Sequence, residues 1–139
     1  MTPKSAFLPM LFLAAGALIV VAQEPPKIKA IPVAKVTATM ADQPLAFPSE
    51  KPQVVVGVAE FAPGAVTPRH KHPALRYVYV LEGALTVEME GGMSHNYPAG
   101  SFIVESMDKW HLGKNAGTTP TKILIIDQVV EGRSNVVTE

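Results

Sequence analysis

The sequence predicts an all-β fold. Three observations point there: β-branched runs cut at short intervals by proline and glycine, turn chemistry at the cuts, and no stretch with a sustained helical period. Val33–Thr39 is the first candidate strand, following a proline-rich stretch. Val54–Ala62 ends at the turn Ala62-Pro63-Gly64. Leu75–Leu81 and Ala84–Glu90 are joined through Leu81-Glu82-Gly83-Ala84, the clearest hairpin in the chain, and the second of them stops at Gly91-Gly92. Phe102–Glu105 follows Pro98-Ala99-Gly100, and Trp110–Lys114 and Lys122–Val130 complete the set. Short strands with turns of this kind argue for an antiparallel sandwich or barrel.

At 139 residues the chain has the length of one domain. Twelve Lys and Arg balance twelve Asp and Glu. That balance removes the long-range field on which nucleic-acid or anionic-membrane binding draws, so neither partner is expected. The absence of cysteine excludes disulfides, thiol nucleophiles and Cys-based zinc or iron–sulfur sites. Only 17% of the residues are charged, which is low for a soluble domain, and the apolar excess has a local source. Lys4 is the only charge before Glu24, and Ala6 to Ala22 is an apolar run. A basic start, an apolar middle and a small residue at the end form the pattern of a secretory signal at residues 1–22, cut after Ala22. The alternative is an uncleaved anchor that tethers the protein. A run of about 17 residues stands at the bottom of the spanning range, and Pro9 and Gly16 weaken a spanning helix. With the signal removed the protein is exported, periplasmic or extracellular, and free of the membrane.

Residues 23–52 read as an extended arm and first strand, because Pro25, Pro26 and Pro32 oppose a helix. The arm either lies along a sheet edge, reaches a neighbouring subunit, or stays a solvated linker. Residues 53–131 form the β domain and residues 132–139 a C-terminal tail.

Histidine carries the chemistry. Of the four, His70 and His72 are two apart, so an extended strand points both imidazoles to one face, a spacing that suits two ligands on one metal. A surface pair is the competing reading. The surroundings sharpen it. Gly64, His70, His72 and Gly83 stand in the register of G-x5-H-x-H-x3-E-x6-G, and Gly100, His111 and Asn115 in that of G-x5-P-x-G-x2-H-x3-N. These stretches resemble the two motifs of the cupin superfamily, and the chain is similar to its small single-domain members. The resemblance departs at Arg76, which stands where the first motif has its metal-binding glutamate, and at Ser106 and Asp108, which replace the proline and glycine of the second.

The resemblance implies an antiparallel jelly-roll β-barrel with His70, His72 and His111 converging on a divalent metal inside it. Fe(II) is the first choice, and Mn, Zn, Ni or Cu fit the same ligands. It also implies a homodimer. Arg76 shares strand parity with the histidines and should point inward, where a guanidinium cannot ligate and would repel a nearby cation unless a carboxylate screens it. Glu60 could pair with Arg76 or stand in as a fourth ligand, but reads first as a rim or solvent-face charge; Glu105 is read in the same way. Val78 and Val80 share the histidine parity and should line the cavity, whereas Tyr77 and Tyr79 should pack outside. Trp110 reads as a packing residue, His95 as a surface histidine, and Asn115 as the residue that fixes a turn.

Two functions from different classes follow. One is a metal-dependent enzyme acting on a small, anionic substrate: a dioxygenase at a three-histidine site, with Arg76 as the catalytic residue that orients the substrate, or a lyase or isomerase on the same residues. The other is a non-enzymatic small-molecule-binding or sensor protein, with Arg76 in a metal-free anion pocket.

Overall fold

The computed structural model describes residues 27–139, and residues 31–139 form one compact unit. The segment at 1–22, expected from the sequence to be a signal, lies outside the described residues. Among the described residues every regular element is a strand: β1 (Pro52–Phe61), β2 (His70–Lys71), β3 (Leu75–Glu82), β4 (Ala84–Met89), β5 (Ser94–Pro98), β6 (Phe102–Val104), β7 (His111–Lys114), β8 (Thr121–Val130) and β9 (Val137–Thr138). They form two sheets, in the orders β1-β8-β3-β6 and β5-β4-β7-β2-β9, and the strands within each sheet pair antiparallel. This is the all-β jelly roll that the sequence predicts. The two longest apolar runs, β1 and β8, pair over their whole length from Pro52↔Val130 to Phe61↔Thr121.

Alternation of side chains along each strand decides what lies between the sheets. Val78 and Val80 of β3, Ile103 of β6 and Ile123 of β8 meet Leu85 and Val87 of β4, each no more than 4% exposed. Each such burial contributes roughly 1.5–3 kcal/mol. Tyr77 and Tyr79 have the other parity and are only half-buried. Tyr77 stacks on Phe102 at 6.1 Å between ring centroids and donates its hydroxyl to Gln128 Oε1 at 3.1 Å.

The β3–β4 hairpin turns at Gly83, whose φ of +69° is open to glycine and costly for other residues. A Cβ there would stand 2.5 Å from the Pro120 carbonyl oxygen and 2.8 Å from Thr121 Oγ1. That hydroxyl donates to Ala84 O at 2.8 Å and accepts from Ala84 N at 3.2 Å, so it has no freedom to retreat. Gly83→Ala is therefore expected to lower the free energy of unfolding by at least about 2 kcal/mol, combining backbone strain with overpacking. Urea denaturation checks this; an unchanged midpoint would count against the tightness of this turn.

Three differences from the sequence reading stand out. Val33–Thr39 forms no strand: Val33 and Val36 are exposed, and only Ala38 makes an isolated bridge, to Pro44. This part of the arm is held by a polar clasp instead. Gln43 Nε2 donates to Met107 O at 2.9 Å while Gln43 Oε1 accepts from Met107 N at 2.8 Å, and Met40 N donates to Val104 O at 2.7 Å. Second, β5 forms from a polar, mostly exposed sequence that β4 recruits through five residue pairs. Third, residues of the tail at 132–139 join the second sheet, where β9 pairs with β2 at His70↔Thr138 and Lys71↔Val137.

Candidate metal centre

The ladder between β2 and β7 sets His70 directly opposite His111, and His72, one residue past β2, bridges to Met107. The three rings form a triangle with centroid separations of 4.9 Å (His70–His72), 4.5 Å (His70–His111) and 4.9 Å (His72–His111). One ligand nitrogen from each lies within 4.8 Å of the others. His72 and His111 are buried and His70 is half-buried.

The main chain orients all three rings. Nδ1 of His70 is 2.8 Å from Pro68 O, Nδ1 of His72 is 2.6 Å from Asn135 O, and Nδ1 of His111 is 2.9 Å from Lys109 O. A carbonyl oxygen only accepts, so each Nδ1 carries the proton, and a neutral ring then presents the Nε2 lone pair. Burial, with the two neighbouring rings, holds the His70 imidazole below its ordinary pKa against the opposing pull of the Pro68 carbonyl and Glu105, which favours the neutral, ligating form. The Nε2 atoms of His72 and His111 are buried and make no hydrogen bond. An unsatisfied buried polar atom costs about 1–3 kcal/mol, and a cation shared by both would satisfy them. Lone pairs fixed by backbone acceptors are what a histidine-bound metal requires, so the residues present fit a divalent ion.

Glu105 corrects the reading of a rim charge. It follows β6 at 6% exposure, with Oε2 2.9 Å from His72 Nε2 and 3.8 Å from His111 Nε2. Burial alone would raise its pKa, but His72, His111 and Arg76 outweigh that and hold it below the usual carboxylate range. The 2.9 Å approach lacks the alignment of a hydrogen bond, and His72 Nε2 stays unpartnered. Glu60 does neither of the things open to it at the site: it is exposed and pairs with Lys122 Nζ at 2.9 Å.

Arg76 has found its screening carboxylate. It sits opposite Asp127 in the β3–β8 ladder and forks onto it, Nε to Oδ1 and Nη2 to Oδ2, both at 2.7 Å. Burial would raise the Asp127 pKa, but hydrogen bonds from Arg76 and Asn135 lower it overall. Asn135 continues the chain of contacts. Its Nδ2 donates to Asp127 Oδ1 at 2.7 Å, its Oδ1 accepts from Ala74 N at 2.8 Å, and its carbonyl takes the His72 Nδ1 proton. Arg76, Asp127, Asn135 and His72 are thus one connected network. Asp127 and Asn135 are absent from the sequence reading. Asp127 did leave a signal, as the lone carboxylate in the apolar run Ile123–Val130.

His70, Arg76, Val78 and Glu105 line one interior cavity of about 140 Å³, together with Phe61, Thr67 and Leu85. Val80 is buried in the core rather than at the cavity wall. A larger cleft of about 390 Å³ beside Gly91 and Gly92 touches His111, whereas the smaller cavity touches His70 and holds Arg76 and Glu105 as well. Around the site, Asp108 takes the left-handed backbone (φ +53°) where the second motif has glycine, a conformation that Asp tolerates better than most residues. Asn115 fixes its loop, donating to Phe61 O and Thr119 O and accepting from Gly117 N. Trp110 carries Lys71 Nζ at 5.3 Å from its ring centroid. His95 is exposed on β5 and stands apart from the centre.

The family model of the cupin domain matches residues 57–127, just over half of the chain. No curated protein sequence matches it. Among solved structures, the chain is similar to the DMSP lyase DddQ from Ruegeria pomeroyi DSS-3, with a TM-score of 0.53 and 20% identity over 61% of this chain and 42% of that one. It is similar to an oxalate oxidase in complex with the substrate analogue glycolate, with a TM-score of 0.53 and 26% identity over 61% of this chain and 45% of that one. A sugar phosphate isomerase from Silicibacter pomeroyi has a TM-score of 0.50 and 27% identity over 56% of this chain and 52% of that one. The chain spans about half or less of the length of these structures, and at 20% identity the first of them bears on the fold alone.

Proposed function

The chain belongs to the cupin family, and from that premise we propose that it is an exported, Fe(II)-dependent enzyme of dioxygenase type acting on a small anionic substrate. One observation carries the metal-dependent part of the reading: three imidazoles face each other with their Nδ1 protons taken by backbone carbonyls, and two of the inward Nε2 atoms are buried without a partner. His70, His72 and His111 hold the ion. When bound, it supplies Lewis acidity toward an oxygen of the substrate.

The chain's own residues do the rest. Arg76 engages Asp127 through Nε and one Nη2 proton, and a guanidinium has five N–H donors. The remaining donors orient a substrate carboxylate or phosphate at the cavity wall. The fork itself is taken, which argues against Arg76 as the heart of a metal-free anion pocket. Val78, Leu85 and Phe61 supply apolar wall, which limits water around the reacting atoms. A cavity of about 140 Å³ suits a substrate of few atoms, and the similarity to an oxalate oxidase holding glycolate supports a small oxygen acid. The fold itself selects no chemistry, so this reading rests on the site.

Export is supported by the signal pattern of residues 1–22. A homodimer is supported by β1, a strand at the end of its sheet with Val54, Val55, Val56 and Val58 about half exposed or more. An apolar edge of that kind invites a second strand. Protein recovered from the periplasm or medium is expected to begin near Gln23 by intact mass and to hold about one iron per chain by elemental analysis. A full-length product in membranes would overturn cleavage and support the uncleaved anchor instead. A protein that binds no metal after anaerobic Fe(II) loading would overturn the enzyme reading.

A further inference from the structure

We propose that Glu105 is the fourth protein ligand of this centre, so that the chain carries its acidic ligand on the segment beside the position where the first motif has a glutamate. The inference rests on the three-histidine metal reading and adds to it the residue that completes the set.

Donor separations come first. Two atoms each about 2.1 Å from a common cation stand about 3.0 Å apart at a right angle and about 3.4 Å apart at the tetrahedral angle. Glu105 Oε2 is 2.9 Å from His72 Nε2 and 3.8 Å from His111 Nε2, one separation near the right-angle value and one at a wider angle. The carboxylate oxygen therefore stands in the same small polyhedron of donors as the imidazole nitrogens.

The donor chemistry points the same way. Asn135 O and Lys109 O accept from Nδ1 of His72 and His111, which leaves Nε2 as the ring atom that faces Glu105 in both. Neither Nε2 has a hydrogen-bond partner, and the buried carboxylate beside them adds an oxygen donor to any cation they share. A cation between the three atoms would satisfy all of them at once.

The backbone explains how Glu105 reaches the centre. Glu105 N donates to Arg76 O at 2.9 Å, so the two residues are neighbours across the β3–β6 edge. Arg76 turns its side chain to Asp127, and Glu105 reaches the histidines from next door. Arg76 and Asp127 cancel, leaving one anion beside the metal, the same charge that a glutamate at position 76 would have given.

The test compares wild type, Glu105→Gln and Glu105→Asp, using Mn(II), a hard, oxygen-preferring ion, and Co(II) as a spectroscopic probe. Glu105→Gln is expected to weaken Mn(II) binding by more than about 100-fold, beyond the 10- to 100-fold that loss of an outer partner costs, and to change the visible bands of bound Co(II). Glu105→Asp is expected to recover part of the affinity. Should the Gln variant fail to fold, the wild type alone decides: its carboxylate infrared bands are expected to shift on Mn(II) addition. Mn(II) binding by Glu105→Gln within 100-fold of wild type, or wild-type carboxylate bands that do not move, would overturn Glu105 as a ligand while leaving the three histidines in place. Wild type that binds neither Mn(II) nor Co(II) overturns the three-histidine reading and this inference with it.

Discussion

His72→Ala is expected to lose nearly all bound metal, from about one ion per chain to close to none. His72 is fully buried, its ring is aimed by the Asn135 carbonyl at 2.6 Å, and its Nε2 is one of two buried side-chain nitrogens without a partner among the described residues. The consequence for stability follows by mass action. With metal at 1,000 times its Kd, an ion that binds only the folded chain adds about 4 kcal/mol, equivalent to a Tm rise of roughly 15–30 °C in a domain of this size. Thermal unfolding with and without metal should show that rise for wild type and none for the variant. A variant that keeps its ion, or still gains stability from it, would remove His72 from the ligand set.

The second large effect belongs to Asp127. The residue is 8% exposed, and its carboxylate takes the Arg76 fork and the Asn135 amide. Removing one member of a buried pair strands the other charge, at a cost of about 3–5 kcal/mol. Asp127→Ala should therefore lower the free energy of unfolding measured in urea by that amount, and also weaken metal binding, because the guanidinium then faces the centre unscreened. Replacing Arg76 and Asp127 together by leucine should recover most of the stability, since apolar pairs of similar volume often equal buried ion pairs. A double variant no more stable than Asp127→Ala would mean that the pair itself is not the cause. The pH dependence has a definite sign. The folded Asp127 binds its proton at lower pH than the unfolded chain does, so its contribution is present above the ordinary value of about 3.9 and is lost as pH falls through the lower folded one.

Much of this was legible in the sequence, for physical reasons. Long apolar strands such as Val54–Ala62 and Lys122–Val130 carry their own signal, and the Leu81–Ala84 hairpin carries its turn chemistry. The three histidines were legible because the motif spacing fixes them on elements that the fold brings together. The short strands β2 and β9, of two residues each, exist only through their partners and have no local pattern to read. Val33–Thr39 failed in the opposite way: β-branched residues favour a strand only where neighbours cover them. Strand parity rightly sent Arg76 inward but could not name Asp127, a cross-strand partner 51 residues away. Nor could it place Glu105, because alternation says nothing about a residue just past the end of a strand. Asn135 was out of reach, since its part depends on the docking of the tail.

The proton positions at the centre are set by peptide carbonyls of Pro68, Lys109 and Asn135, and a carbonyl survives any change of side chain. Sequence drift can therefore recolour the outer layer of this site without disturbing which ring nitrogen offers its electrons. The donor geometry is inherited with the path of the main chain, which leaves the cavity wall free to diversify toward new substrates.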